Sequence, residues 1–324
     1  MNITDIEAAA DRIAGHAVRT PLLNAPLLDR IAGRRIFVKA ECLQKTGSFK
    51  YRGARSAISA LAPNLRRKGV VAFSSGNHAQ GVACAAGELG ALATIVMPSD
   101  APALKIANTR AYGAEVILYD RETEDRDAIG AELADARGLT LIKPFDNEHV
   151  IAGQGTTGLE IADQAAQAGI EEAEVLVCCG GGGLTAGIAL ALADRAPAFG
   201  VRPVEPEGFD DVARSLAIGA RQTNNRMGGS ICDAILTPAP GHITFPILNA
   251  HCGPGLVISD DQALRAMALA AEHLKITLEP GGAVALAAAL FHAKGETDLI
   301  VIASGGNVDP AMFQRALTLG TGAA

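Results

Sequence analysis

Short apolar runs rich in β-branched residues alternate along this chain with alanine-rich segments of helical periodicity. The runs predict strands at residues 36–40, 70–73, 93–97, 115–119, 139–142, 174–178, 201–204 and 299–303. The segments between them predict helices near residues 78–89, 103–112, 124–136, 156–168, 184–194, 262–275 and 282–292. Continuous apolar runs are typical of strands buried on both faces, and a helix between consecutive strands implies parallel crossovers. The pattern therefore predicts an α/β fold of open, mostly parallel sheets with flanking helices.

The length and composition indicate a large folded protein with two structural units. The chain has 324 residues, of which 49% are hydrophobic and 19% charged, and this excludes intrinsic disorder. A domain holds roughly 100–200 residues, and no proline- or serine-rich linker marks a boundary. We therefore expect the chain to cross between two domains more than once.

The scarcity of certain residues and motifs disfavours several classes of protein. A net charge of −7, with no tryptophan, disfavours a nucleic-acid partner, which needs basic stripes and stacking aromatics. No secretory signal is visible, and no apolar stretch reaches the roughly 18–20 residues of a membrane span. The six cysteines form no C-x-x-C pair and the seven histidines no H-E-x-x-H pair. We therefore expect a cytoplasmic protein with reduced thiols and without a zinc site.

A basic loop follows the first predicted strand, and ligands of open α/β sheets bind at the carboxyl ends of strands. Residues 45–53 (KTGSFKYRG) contain two lysines, an arginine, a serine and a threonine. A solvated loop is the ordinary explanation of such a segment. Phe49, however, could hold the amine of Lys50 against an apolar surface, and desolvation lowers the pKa of a lysine towards that of a useful nucleophile or base.

Polar loops also follow two other predicted strands. Residues 74–78 (SSGNH) could cap the next helix, but a cap needs only one polar side chain, and the others would meet a ligand. Residues 304–307 (SGGN) could form a tight turn with a hydroxyl cap. A serine nucleophile is weakly supported because the G-x-S-x-G pattern is absent.

The strongest local signal is a run of four glycines after the strand at 174–178. Residues 180–187 (GGGGLTAG) open the next helix, and free backbone N–H groups at a helix N-terminus bind phosphate. A Walker-type site is excluded because no Gly-Lys-Ser/Thr follows. Gly181, Gly183 and Ala186 also fit a relaxed dinucleotide fingerprint, with Glu205 roughly 20 residues further on as the acid that binds the ribose. On this local pattern, NAD remains an alternative ligand.

Four carboxylates crowd into residues 205–211 (EPEGFDD). Such crowding is unfavourable unless water or a shared cation solvates the charges, and hard oxygen ligands suit Mg²⁺ or Ca²⁺. An acidic loop that only caps the next helix explains the segment equally well.

Together these segments resemble the serine/threonine dehydratase and serine racemase family of pyridoxal-phosphate enzymes, which have the tryptophan synthase β-like fold (fold type II). The resemblance covers nearly the whole chain, and its motifs are residues 19–22, 48–54, 74–78, 152–156, 180–183, 204–206, 279–280 and 304–307. It implies a homodimer whose subunits have a large cofactor-binding domain of residues 1–61 plus 148–324 and a small domain of residues 62–147. An NAD-dependent oxidoreductase becomes a minor alternative.

The resemblance also implies roles for individual residues. Lys50 looks like the lysine that forms a Schiff base with pyridoxal 5'-phosphate, and Phe49 like the residue packed against the cofactor ring. Asn77 resembles the partner of the cofactor's 3-hydroxyl, Ser304 the partner of its ring nitrogen, and Ser75 the residue on the opposite ring face. The phosphate cradle is implied at Gly180, Gly181, Gly182, Gly183 and Leu184. The loop for the substrate carboxylate is implied at Ser74, Ser75, Gly76, Asn77 and His78. A divalent cation, Mg²⁺ or Ca²⁺, is implied at Glu205, the Phe209 carbonyl and Asp211.

The resemblance implies a lyase that acts on a small amino acid. We expect α,β-elimination from a 3-hydroxy amino acid, threonine or serine by default, giving a 2-oxo acid and ammonia. The alternatives are a serine racemase-like enzyme, a dehydratase of 3-hydroxyaspartate or of a hydroxylated diamino acid, and a catalytically silent sensor. No regulatory domain follows the last predicted helix, so we do not expect feedback control.

Two segments depart from the family pattern. Residues 230–234 (SICDA) stand where many relatives have Ala-Asp-Gly, so Ala234 replaces a glycine beside the cofactor. Residues 121–137 match serine racemase poorly. Arg121 and Arg126 in that stretch could bind a second carboxylate, although exposed helix surface explains them as well.

Overall fold

The computed structural model describes residues 1–101, 103–120, 122–226 and 228–320, and its strands form two sheets. The strands are β1 Leu22–Asn24, β2 Ile36–Lys39, β3 Val70–Phe73, β4 Ala93–Pro98, β5 Glu115–Tyr119, β6 Thr140–Leu141, β7 Ala173–Cys178, β8 Phe199–Pro206, β9 Leu256–Ile258 and β10 Asp298–Ile302. The larger sheet has the order β1-β2-β10-β7-β8-β9 and the smaller one β5-β4-β3-β6. Among the described strands, every pairing is parallel except that of β1 with β2. The predicted fold of mostly parallel sheets is therefore confirmed.

The helices flank both sheets, and several of them were not predicted from the sequence. They are α1 Ile3–Ile13, α2 Pro26–Ala32, α3 Lys50–Ala60, α4 Pro63–Lys68, α5 Asn77–Glu88, α6 Ala103–Ala111, α7 Arg126–Arg137, α8 Glu148–Gln167, α9 Gly183–Arg195, α10 Asp211–Ile218, α11 Thr244–His251, α12 Asp260–Leu269, α13 Pro280–Phe291 and α14 Pro310–Gly320. The helix at α8 begins eight residues earlier than predicted. Its first half contains Gly153 and Gly155, and glycine lowers helix propensity by about 1 kcal/mol relative to alanine.

The glycines of α8 allow close packing with α9. A Cβ on Gly155 would lie 2.9 Å from the carbonyl oxygen of Gly187, and a Cβ on Gly187 would lie 2.5 Å from the carbonyl oxygen of Ile151. Any larger residue would therefore push the two helices apart. The tertiary contact, not local propensity, explains why this segment is helical and glycine-rich.

The strand order brings three of the polar loops to one edge of the larger sheet. Strand β10 lies between β2 and β7, and all three run parallel. The loop with Lys50 follows β2, the glycine run follows β7, and Ser304 follows β10. Because parallel strands end at the same edge, these loops meet at a crevice of the kind in which open α/β sheets bind ligands.

A buried ionic network fixes the first turn of α3 behind this crevice. The Arg52 guanidinium donates to Glu41 at 2.8 Å and to Glu160 at 2.7 Å, and Arg52 and Glu41 are 1% and 0% exposed. Lys39 donates to the same Glu160 at 2.5 Å. Two cations thus face two carboxylates, so the buried charges are paired. The network ties α3, which begins at Lys50, to β2 and α8.

Candidate active site

Hydrogen bonds join the Lys50 loop to the Ser304 loop. Ser48 and Gly305 form an isolated antiparallel bridge. The Phe49 N–H donates to the Ser304 carbonyl at 3.1 Å, and the Gly306 N–H donates to the Gly47 carbonyl at 2.9 Å. The backbone leading to Lys50 is therefore fixed by the end of β10.

The amine of Lys50 lies in a largely apolar setting. Its Nζ donates to the Pro144 carbonyl at 2.9 Å and lies 5.1 Å from the centre of the Phe49 ring. Burial lowers the pKa of Lys50 to about 8, although the nearby Cys178 and Glu279 partly oppose this shift. The amine is thus closer to neutrality at physiological pH than an exposed lysine, as a base or a nucleophile requires. The surroundings of Lys50 do not match those of a solvated loop.

The glycine run forms a turn that admits no side chains. Gly182 has a left-handed φ of 92°. A Cβ on Gly181 would lie 2.3 Å from the Phe145 ring, and one on Gly183 would lie 3.0 Å from the Phe145 backbone. No side chain caps α9, which begins at Gly183. The N–H groups of its first turn therefore face an anion site, next to which Leu184 is buried.

The loop of residues 74–78 begins a helix without capping it. Helix α5 has no side-chain cap, and the Ser74 hydroxyl instead accepts from the Gly76 N–H at 3.1 Å. The interpretation of this loop as a simple helix cap is therefore wrong. His78 is buried, and its Nε2 is 2.8 Å from the Ile142 carbonyl. Burial, assisted by the charge of Lys50, lowers the pKa of His78 to about 3, so its imidazole is neutral.

Sequence reasoning assigned no role to Glu279, which the structure places beside Asn77. The Asn77 Nδ2 donates to the Glu279 carboxylate at 2.5 Å, and the Asn77 Oδ1 accepts from Asn307 Nδ2 at 2.8 Å. Burial raises the pKa of Glu279 to about 7. A signal did exist in the sequence, since Glu279 directly precedes Pro280 and a wholly apolar helix in which it has no partner.

Ser304 follows the last residues of β10 and is 4% exposed. Its side chain interacts with the thiol of Cys178, whose pKa burial nonetheless raises to about 11. Ser304 therefore presents a neutral hydroxyl, and its immediate neighbour is an un-ionised thiol.

The acidic segment lies at the end of β8, two strands away from β10. Glu205 is buried and accepts from the backbone N–H groups of Val212 and Ala213 at 2.9 and 2.7 Å. Asp211 is 1% exposed, and its Oδ2 has no hydrogen-bond partner. Phe209 is buried between them in sequence. Burial raises the pKa of both carboxyl groups, that of Asp211 to about 6.

Across the described ranges, no group of three or more His, Cys, Asp or Glu side chains is arranged to hold a metal ion. The predicted cation site contains two carboxylates and a backbone carbonyl, so it remains a prediction. Arg121 lies outside the described residues. Arg126 is the exposed first residue of α7.

The comparisons with known proteins agree with this geometry. Residues 13–305 match the family model described as pyridoxal-phosphate dependent enzyme. The chain belongs to this family. The cofactor is therefore pyridoxal phosphate, and the tryptophan synthase β-like fold (type II) predicted from the sequence is confirmed. Family membership decides against NAD as the cofactor.

Curated relatives and solved structures cover nearly the whole chain. An L-threo-3-hydroxyaspartate ammonia-lyase from a Pseudomonas species is 42% identical over 316 residues, 97% of either chain. A threonine deaminase from the bacterium abbreviated T.th. is 44% identical, with a TM-score of 0.88 over 95% of this chain and 99% of that one. A maize serine racemase is 36% identical, with a TM-score of 0.91 over 98% and 97%.

The side chains present fit pyridoxal phosphate. A partly buried amine with a lowered pKa, an uncapped helix N-terminus behind a polyglycine turn, and a neutral hydroxyl at the end of β10 face one crevice. These groups match an aldehyde, a phosphate and a ring nitrogen respectively. The individual contacts to the cofactor remain predictions.

Proposed function

We propose that this pyridoxal-phosphate enzyme is a 3-hydroxy amino acid dehydratase whose preferred substrate carries a second carboxylate, as 3-hydroxyaspartate does. The dehydratase class predicted from the sequence is confirmed by the relatives, which include hydroxyaspartate and threonine ammonia-lyases. The substrate loses its α-proton and its β-hydroxyl, which leave together as water. The resulting enamine takes up one water, giving a 2-oxo acid and ammonia.

Lys50 is the proposed base for the α-proton. Its pKa of about 8 lets the amine accept a proton near neutral pH and return it later in the cycle. The bound cofactor supplies the conjugated system that takes up the charge left by the proton. Phe49, which contacts the amine, excludes water from this side of the site.

Ser304 and Asn77 are the proposed contacts to the cofactor ring. A neutral hydroxyl at Ser304 cannot keep a ring nitrogen protonated as a carboxylate would, so the charge is weakly delocalised and loss of the β-hydroxyl is favoured over other fates. We place the substrate α-carboxylate on residues 74–78, where the loop leads into the uncapped N-terminus of α5. His78, being neutral, stabilises that carboxylate by shape and hydrogen bonding and not by charge.

The observation that favours a second carboxylate is the position of Lys105. Its Nζ would lie 3.9 Å from a Cβ placed on Gly76, in the middle of the carboxylate loop. Lys105 pairs with Asp233 at 3.2 Å, and its side chain is 18% exposed. A cation at this place can bind an acidic substituent on the β-carbon, and a methyl group or hydrogen would leave it with Asp233 alone.

A substrate comparison tests this proposal. We expect kcat/KM for L-threo-3-hydroxyaspartate to exceed that for L-threonine and L-serine by about tenfold or more, as one charge-assisted contact supplies. Lys105→Gln should reduce the value for hydroxyaspartate more than the value for threonine. Release of 2-oxo acid is the measurement. A wild-type preference for threonine, or an equal loss on both substrates, would contradict the assignment.

Racemisation is a second candidate activity, favoured by Ser75 in the same loop and by the 0.91 TM-score to a serine racemase. A proton returned from the ring face opposite Lys50 inverts the α-carbon, and Ser75 is the proposed donor. Ser75→Ala should therefore suppress formation of D-serine from L-serine more than dehydration of L-serine. Chiral chromatography and an ammonia assay measure the two products. Equal loss of both products would refute this role.

The remaining assignments concern the cell and the assembly. We propose a cytoplasmic homodimer without nucleic-acid or membrane partners, with the domains predicted from the sequence. All six cysteines are free thiols, as in a reducing compartment. None of the helices in the described part of the chain has the length and hydropathy to cross a bilayer. Leu27 and Ile31 on α2 are 50% and 49% exposed, and such apolar side chains suit an interface between subunits, which light scattering would detect.

A further inference from the structure

A chain of amide and carboxylate side chains crosses the crevice from the Lys50 loop to α13. Asn307 Nδ2 donates to the Thr46 carbonyl at 2.7 Å and to the Asn77 Oδ1 at 2.8 Å. Asn77 Nδ2 then donates to the Glu279 carboxylate at 2.5 Å. Asn77 begins α5 beside the smaller sheet, whereas Glu279 and Asn307 lie next to β10 of the larger sheet.

The chain has a direction, because its first member can only accept. The Thr46 carbonyl has no proton, so it fixes the donor end of the Asn307 amide. The same Nδ2 then faces Asn77, which must present its oxygen. The Asn77 nitrogen is therefore turned towards Glu279, and a Glu279 oxygen must accept from it. One of its two N–H bonds is used in this contact, and the other is available to the crevice.

The backbone holds the Glu279 carboxylate in this place. The Glu279 N–H donates to the Gly305 carbonyl at 3.1 Å, and the Gly282 N–H donates to the Glu279 carbonyl at 2.9 Å. A Cβ on Gly305 would lie 2.1 Å from the Glu279 Oε1, so only glycine admits the carboxylate there. Glu279 is 3% exposed and does not cap α13 by its side chain. A carboxylate this deeply buried needs a reason, since burying it is unfavourable.

We propose that Glu279 is a positioning residue for the cofactor: its carboxylate, acting with Asn307, holds the Asn77 amide in the one orientation that offers an N–H to the cofactor's 3-hydroxyl. The inference rests on the proposed contact between Asn77 and that hydroxyl. Glu279 also adds a negative charge to a crevice that binds an electrophilic cofactor. The titratable or charged groups that face it are Lys50 on α3, Lys105 on α6, Asp233, Cys42 and Cys178.

The absorption spectrum of the cofactor-loaded enzyme tests this role independently of turnover. In Glu279→Gln, the amide can offer a donor to Asn77 and turn its nitrogen away from the crevice. We expect a shifted absorption maximum or a shifted spectral pKa, and a cofactor Kd raised about tenfold. Asn307→Ala should give the same spectral change. Glu88→Gln, at the other end of α5, is the matched control and should leave the spectrum unchanged.

A double-mutant cycle shows whether Glu279 acts through Asn77. If it does, Asn77→Ala with Glu279→Ala should lose no more cofactor affinity than Asn77→Ala alone. Multiplied losses, or a wild-type spectrum in Glu279→Gln, would overturn the proposal. If Glu279→Ala does not fold, Glu279→Gln, which keeps the volume, carries the same cycle. A wild-type enzyme that binds the cofactor but dehydrates no 3-hydroxy amino acid would instead refute the proposed function and leave this inference standing.

Discussion

The surroundings of Lys50 determine how its amine titrates. Phe49 and the backbone of the neighbouring segment leave the amine one hydrogen-bond acceptor, the Pro144 carbonyl, among the contacts that the structure describes. Removing water favours the neutral form of an amine. His78, which lies close enough to feel the charge of Lys50, stays neutral for the same reason. The two basic groups therefore do not compete for protons near pH 7.

Replacing Lys50 should abolish elimination. We expect Lys50→Ala to lower kcat by about 10²–10⁴-fold, the range for a positioned general base, while circular dichroism remains that of the wild type. In the wild type, kcat should rise with pH up to about 8, because the protonated amine cannot accept the α-proton. The pH dependence of 2-oxo acid release measures both. Near-normal turnover of the variant, or a flat profile between pH 6 and 8, would contradict the role.

The glycine turn shows how one element prepares a binding site. Helix α9 begins directly at Gly183, so its N-terminal dipole and free N–H groups point into the crevice. Gly182 provides the left-handed residue that turns the chain, and Leu248 and Thr244 close off the space behind it. The sequence predicted the phosphate turn because four glycines in a row have few structural uses. It did not predict Phe145, which lies over the turn and belongs to a distant segment.

A methyl group at the turn should weaken cofactor binding. In Gly182→Ala, the left-handed φ of 92° adds about 1–3 kcal/mol of strain, and the new Cβ lies 2.8 Å from Leu248 Cδ1. We expect the dissociation constant for pyridoxal phosphate to rise about tenfold or more.

Gly200→Ala is the matched control, since a Cβ there meets no atom within 4 Å and Gly200 has no positive φ. Fluorescence titration of the apoenzyme measures both affinities. Equal affinities in the two variants would mean that the turn does not hold the phosphate.

At the scale of the whole molecule, the two sheets meet through the crevice. The smaller sheet contributes the loop after β3 and Lys105 on α6, and the larger sheet contributes Asp233 and the loops after β2, β7 and β10. The Lys105–Asp233 ion pair joins the two sides. Behind β8, the larger sheet also buries two carboxylates, one of them with an oxygen that has no partner. Such a pair destabilises the folded chain unless a cation compensates for it.

A divalent cation should therefore stabilise the whole fold. At a concentration of 100 times its Kd, Mg²⁺ or Ca²⁺ should raise the free energy of unfolding by about 2.7 kcal/mol. Asp211→Asn should remove most of this gain. Asp261→Asn, an exposed carboxylate on the polar cavity beside the pair, is the control and should retain it. Thermal unfolding with and without the ion is the measurement, and an equal response of both variants would refute the cation site.

The sequence by itself determined the α/β class, the parallel sheets and the segments that carry chemistry, because strand burial and glycine or lysine chemistry are local properties of the chain. It did not indicate where α8 begins, since the glycines that lower its propensity serve a helix contact. Nor did it pair Asn77 with Glu279, which is 202 residues away. Those contacts depend on β10 lying between β2 and β7 and on α5 reaching across from the smaller sheet. Only the tertiary structure brings such distant side chains within hydrogen-bonding distance and thereby sets the pKa of each.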